Sequence, residues 1–198
     1  MIDIYSCLTY YIIINLSYWS TVFWCYYSDD KTTVERAKNR VIFNLSVLII
    51  PPIIIIDNLL PKNIDFNFIY FIRDILLYFT TVDFWFFLTH YMFHCSKILY
   101  SYHKIHHEFT VPSGITALYT HWTDLYFNNI LPVVIMPIIL QSHRITVISW
   151  VIYSMFNAVY VSHSKTTPDD FHLLHHKYFN YNYGVGLYMD KIFRTIRK

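Results

Sequence analysis

Glycine is nearly absent, with three residues in 198. A chain so poor in glycine has little material for the tight turns of β-architectures, which leaves helices. Charge is scarce too: Asp, Glu, Lys and Arg make up 14% of the chain, against about 25% in soluble domains. The formal net charge of +2 gives no basic footprint for nucleic acid. The three cysteines, Cys7, Cys25 and Cys95, form no C-x-x-C pair. Neither a disulfide framework nor a thiolate zinc site is expected. The opening M-I-D-I-Y has no basic n-region and no small-residue cleavage site, so a signal peptide is not expected either.

What is present is apolar. Hydrophobic residues reach 55% and aromatics 20%, the composition of an all-α integral membrane protein. The length suits a single membrane domain, residues 1–198. Four to five transmembrane or hairpin helices are expected. The first covers 4–27, long enough at about 20 residues per span. Asp29 to Arg40 reads as a polar loop with a basic end. A second span follows from Val41 to Leu60, which Pro51-Pro52 should break or kink, with Asp57 at the interface. Residues 1–65 thus form an N-terminal transmembrane hairpin. The third span, Phe66 to Leu88, carries Arg73, Asp74 and Asp83, which must face protein, water or each other. Spans four, Leu125 to Gln141, and five, Ile145 to Ser162, are short. They are joined by the polar turn Gln141-Ser142-His143-Arg144.

Charge orients these spans. If the basic loop at 28–40 is cytoplasmic, residues 90–121 and 163–176 fall in the cytoplasm as well. The tail with Lys191, Arg194, Arg197 and Lys198 joins them. Ten of the eleven histidines then form a cytosolic helical cap. His143 alone falls on the other side, and is assigned to no site.

The histidines have a pattern. His90 and His94 are four apart. His103, His106 and His107 form H-x-x-H-H, as do His172, His175 and His176. On a helix such positions share a face. Eight imidazoles are too many for one tetrahedral zinc and suit two ions with open positions. Ligand type alone does not name the metal, since imidazole suits Fe, Zn, Cu and Ni. His121 and His163 are further candidates, each read equally well as a hydrogen-bonded interfacial histidine. Asp83, two turns before His90, and Asp124, three residues after His121, are candidate carboxylate partners for ligating histidines. Asp83 reads equally as a partner of Arg73.

These boxes resemble those of the fatty acid hydroxylase superfamily of membrane di-iron enzymes. The order is H-x-x-x-H, then H-x-x-H-H, a His after A-L-Y-T, a His-Ser after a span, and H-x-x-H-H. His103-Lys-Ile-His106-His107-Glu-Phe-Thr-Val-Pro112 looks like that family's second box. Phe171-His172-Leu-Leu-His175-His176-Lys-Tyr-Phe-Asn180-Tyr-Asn182-Tyr-Gly184 is similar to the sterol C-5 desaturase branch. Met189-Asp190-Lys191-Ile-Phe-Arg194 resembles the family's W-D-R-I-F-G close, with Met for Trp and Lys for Arg. Tyr91 stands where the first box often has Arg, and Ser164-Lys165 replaces the small or acidic continuation after His163. The resemblance runs from Asp83 to the C-terminus, within a catalytic region of residues 66–198. It implies ten ligands to two irons: His90, His94, His103, His106, His107, His121, His163, His172, His175 and His176. It further implies electrons from cytochrome b5 or a similar donor, a sterol or acyl-chain lipid substrate, and the endoplasmic reticulum membrane with the site facing the cytosol. No haem-binding H-P-G-G element is present, so no fused cytochrome b5 is expected. The activity implied is O2-dependent oxidation of an unactivated C–H bond, foremost sterol C-5 desaturation. The alternatives are fatty acid, sphingoid or C-4 methyl sterol hydroxylation. A metal transporter would distribute its histidines along a transmembrane path, and a non-catalytic scaffold would not need intact boxes.

Overall fold

In a computed structural model, which describes residues 3–25, 30–164 and 171–197, every regular element is helical. Helix α1 (Ile4–Cys25) buries Tyr10, Ile14, Tyr18, Val22 and Cys25, close to one residue per turn. That stripe packs on α8 (Arg144–Phe156), and the Tyr18 hydroxyl donates to the Ile115 carbonyl at 2.7 Å. The opposite face exposes Tyr5, Leu8, Ile12, Leu16 and Phe23, which suits contact with lipid.

The expected polar loop is a helix. Asp29 lies outside the described residues, but Asp30 caps α2 (Lys31–Phe43) by accepting from the Thr33 N–H. An N-cap carboxylate stabilises the first turn by satisfying an orphan N–H and meeting the positive helix end. From α2 the helix continues through a π-helical stretch, Asn44–Leu48, into α3 (Ile50–Leu59). Pro51 and Pro52 do not interrupt it. They occupy the first turn of α3, where a missing N–H costs least. Asp57 is completely buried rather than interfacial, and accepts from Ser6 (2.7 Å), Arg144 (3.0 Å) and Lys62 (3.2 Å). This cluster ties α1, α3 and α8 together.

Helix α4 (Phe68–Cys95) has 28 residues, about 42 Å at 1.5 Å per residue. That exceeds the bilayer core of about 30 Å, so one end must project. Asn67 caps its start, and its buried face runs Asp74, Tyr78, Asp83, Phe87, His90 and Phe93. Ser142 donates to Asp74 at 2.6 Å and Arg73 grips the same carboxylate. The carboxylates Asp74 and Asp83 of this helix therefore face protein, while the Arg73 side chain is 47% exposed. Asp83 does not pair with Arg73.

After α5 (Lys97–His103) the chain makes two 3-10 turns, His106–Glu108 and Gly114–Leu118. A second continuous helix joins α6 (Trp122–Asp124), a π-helical stretch (Leu125–Ile130) and α7 (Leu131–Ile139). Helix α8 extends through a third π-helical stretch, Asn157–Val161. Helices α9 (Phe171–Tyr178) and α10 (Tyr188–Phe193) close the chain. By length and composition three helices can cross a membrane: Lys31–Leu59, Trp122–Ile139 and Arg144–Val161. Helices α1 and α4 have the length, but Tyr, Thr, Ser and Asn along α1 and Arg73, Asp74 and Asp83 along α4 lower their apolarity.

Candidate metal centre

Four short pieces of backbone deliver the histidines. The end of α4 carries His90 and His94. The α5 end and the following 3-10 turn carry His103, His106 and His107. Helix α9 carries His172, His175 and His176, and His163 follows the α8 extension. Nine imidazoles sort into two groups. One holds His90, His94, His103, His107 and His175, the other His106, His163, His172 and His176. Within each group one nitrogen from each ring lies within 4.8 Å of all the others.

The H-x-x-H-H triplets do not converge on one point, as a shared helical face had suggested. Each is divided between the groups. Residues four apart lie about 40° apart around a helix, whereas neighbours lie about 100° apart. His103 and His107 therefore share one group while His106 turns to the other. His172 and His176 share one while His175 turns away. Each triplet bridges both pockets.

Hydrogen bonding settles the tautomer of six of the nine rings. Nδ1 donates to a main-chain carbonyl in His90 (Tyr183, 2.7 Å), His175 (Tyr181, 2.7 Å), His176 (Phe109, 3.1 Å) and His163 (Ala158, 2.6 Å). A longer bond of 3.4 Å runs from His106 Nδ1 to the Tyr119 carbonyl. A carbonyl only accepts, so Nδ1 holds the proton and Nε2 of the neutral ring keeps a lone pair. His103 Nδ1 bonds Asp124 Oδ2 at 2.9 Å, and Thr120 and Asn128 donate to the same carboxylate. His107 Nδ1 differs, being buried without a hydrogen-bond partner among the described residues.

Those Nε2 atoms face one another. His103 Nε2 lies 3.0 Å from both His90 Nε2 and His107 Nε2. His107 Nε2 lies 3.2 Å from those of His94 and His175. In the second group the separations are 3.2 Å for His172–His176 and 3.4 Å for His106–His163. Between His90 and His103, and between His106 and His163, both rings hold their proton on Nδ1, so facing lone pairs with no proton between them repel. A cation at their centre turns that repulsion into coordination. Metal–nitrogen bonds of about 2.1 Å at right angles place ligand nitrogens about 3.0 Å apart, as found here. Burial, the largest cause, pushes His107, His172, His175 and His176 well below the ordinary imidazole range. It lowers His106 to about 4 and His163 to about 3. Neutral rings are the form that binds metal.

The remaining candidates separate. His163 joins the second group. His121 joins neither: its Nδ1 caps α6 and pairs with the Thr123 hydroxyl at 2.9 Å, and its ring stacks on Tyr102 at 4.6 Å. His143 caps α8, accepting from the Ile145 N–H. Asp124 bonds a histidine, but Asp83 does not. Asp83 accepts instead from the N–H groups of Gly186 (2.6 Å), Leu187 (3.2 Å) and Met189 (3.0 Å). It thereby pins the segment whose Tyr183 carbonyl holds His90. Gly184 passes so close that an added Cβ would lie 2.3 Å from Asp83 Oδ1. Asp190 completes the brace through the N–H groups of Tyr183 and Gly184. The carbonyl acceptors left no trace in the sequence, because any residue type supplies a carbonyl.

A cavity of about 210 Å³ opens from these histidines. His90, His103, His106, His163 and His172 line one end. Phe79, Trp150 and Tyr153 supply aromatic wall between α4 and α8, with Asn128, Asn129 and Asn157 among the polar positions.

Such a fold and site define an all-helical membrane protein with two polyhistidine pockets at one end of an apolar cavity. The fatty acid hydroxylase family model matches residues 75–195, and the chain belongs to that family. It is 25% identical over 177 residues to human fatty acid hydroxylase domain-containing protein 2, covering 84% of this chain and 53% of that protein. It is 32% identical over 88 residues to Arabidopsis thaliana methylsterol monooxygenase 1-2, covering 44% and 29% respectively. With fatty acid hydroxylase ahd1 of Mycosarcoma maydis it shares 33% over 119 residues, covering 57% and 30%. The chain thus spans about half the length or less of these relatives. No solved structure matches it.

Proposed function

We propose that this protein is a membrane-bound, di-iron, O2-dependent oxidoreductase that attacks an unactivated C–H bond of a lipid. One observation carries the reading: two sets of mutually facing Nε2 atoms beside a cavity that His90, His103, His106, His163 and His172 help to line. His90, His94, His103, His107 and His175 hold one iron, and His106, His163, His172 and His176 the other. When bound, the irons supply the O2-reducing chemistry that the side chains lack. The chain's own part is to bring nine rings together, to hold six of them in the metal-binding tautomer through Asp124 and main-chain carbonyls, and to keep a hydrocarbon dry beside them.

Electrons come from cytochrome b5 or a similar donor. Support lies in α2, whose Arg36 and Arg40 reach over Phe109 and Tyr119 at 4.9 and 5.2 Å. These two residues carry carbonyls that hold His176 and His106. A basic helix leaning on the metal-bearing loop suits an acidic electron carrier at the cytosolic face of the endoplasmic reticulum.

Sterol C-5 desaturation is the outcome favoured by the Phe171–Gly184 stretch. Hydroxylation is the second reading, favoured by the methylsterol monooxygenase and fatty acid hydroxylase relatives. The reactions differ in whether an oxygen atom enters the lipid or both leave as water. Lipid profiling in cells lacking sterol C-5 desaturase, sterol C-4 methyl oxidase or fatty acid hydroxylase decides between them. Unchanged lipids in all three, with iron-loaded protein present, would reject both.

A further inference from the structure

Asn128 has a polar atom the fold does not use. It lies in the π-helical stretch Leu125–Ile130, is 3% exposed, and lines the cavity at its histidine end. Its Nδ2 donates to Asp124 Oδ1 at 2.6 Å. The other carboxylate oxygen is taken by His103 Nδ1 and by the Thr120 hydroxyl. A carboxylate only accepts, so this contact fixes which end of the amide is nitrogen. Oδ1 is left buried, with no donor among the described residues. The neighbouring amide is committed differently, Asn129 Nδ2 donating to the Asp124 carbonyl at 3.3 Å. A buried acceptor without a donor is costly, and is retained most readily where a ligand supplies the donor. A π-helical stretch at such a point is in keeping with a functional site.

We propose that Asn128 Oδ1 is the substrate's hydrogen-bond anchor, and that the substrate is a hydroxyl-bearing lipid. The proposal rests on the reading of this cavity as the lipid site. Asn128 is separated from His103 by a single carboxylate, so the hydroxyl sits at the reacting end of the lipid. Its hydrocarbon extends toward Phe79, Trp150 and Tyr153. A plain acyl ester lacks the donor and leaves Oδ1 unpaired, so the site discriminates against it by the logic of any pocket built to bond a hydroxyl. Anchoring the hydroxyl also fixes which nearby C–H faces the histidines.

The test is binding without turnover. Iron-loaded protein in detergent, held anaerobic, is titrated with a sterol and with a long-chain 1-alkanol, each against its own methyl ether. Wild type is expected to bind at least one alcohol about tenfold more tightly than its ether, the worth of one buried hydrogen bond. In Asn128→Leu that ratio is expected to fall to within about twofold. Equal binding of alcohol and ether by wild type in both pairs overturns the proposal, and needs no variant. An undiminished ratio in Asn128→Leu with wild-type iron content overturns it as well. Discrimination by a protein that oxidises no lipid leaves Asn128 standing and removes the oxidase reading. Oxidation without discrimination does the reverse.

Discussion

A neutral imidazole has one ring proton, and its position decides which nitrogen can hold a metal. Here main-chain carbonyls and Asp124 draw that proton to Nδ1, so the choice is made outside the pockets. Because the triplets split, single substitutions should act on different ions. His175→Ala and His106→Ala are each expected to lower iron from about two per chain toward one, with distinct spectra, and both to abolish lipid oxidation. Asp124→Ala is expected to weaken metal binding by about 10–100-fold, the usual cost of losing a carboxylate behind a ligating histidine. Equilibrium dialysis against a competing chelator measures it. His121→Ala should leave iron content unchanged, since its ring engages Tyr102 and Thr123. The buried rings also set a pH dependence. His106 has its folded value lowered from 6.5 to about 4. Between those limits the unfolded chain binds a proton that the folded chain does not. Stability of the metal-free protein is therefore expected to be level above pH 7. It should fall as pH drops below about 6.5, the reference value, and thermal unfolding across pH 4–8 follows it.

At the level of elements, the sequence was most legible where one residue type does one job. The apolar run expected at 4–27 contains α1, Ile4–Cys25, the polar turn expected at Gln141 to Arg144 holds up to His143, with Arg144 opening α8, and the histidine boxes mark the ends that meet. It was least legible where backbone does the work. A loop rich in charge, Asp29 to Arg40, is a helix from Lys31 because Asp30 caps it and Glu35, Arg36, Ala37, Lys38 and Arg40 are good helix formers. The proline pair lies in the first turn of a helix, where periodicity alone reads a break. Asp83 has helical spacing to His90, yet its carboxylate is claimed by three N–H groups from a segment a hundred residues away in sequence. No local pattern encodes that. Asp83→Ala leaves these donors without an acceptor, and a loss of about 3 kcal/mol is expected from their combined desolvation, read by thermal unfolding in detergent. Gly184→Ala should also destabilise, by driving a methyl group into the Asp83 carboxylate, and should lower metal affinity by displacing the Tyr183 carbonyl from His90.

For the whole molecule, polarity across the membrane is the organising property. The Asp57–Arg144–Ser6 cluster and the His143 turn gather at one end, and the nine grouped histidines at the other. Impermeant thiol labelling of oriented vesicles tests this arrangement. Cys95, exposed at the histidine end of α4, is expected to react from the cytosolic side. A cysteine replacing Asn63, in the exposed turn between α3 and α4, is expected to react from the opposite side, in a background lacking the other cysteines. Labelling of both from one side would overturn the arrangement, and labelling of each from the other side would invert it.

Helix α9 gives the centre an order in time. It supplies His175 to one pocket and His172 and His176 to the other, while residues just beyond it supply the Tyr181 and Tyr183 carbonyls. A ribosome makes these parts after helices α1 to α8. Neither histidine group is complete until the helices ahead of it have been made, so the centre can form only when this later strip of chain folds back onto what was synthesised before it.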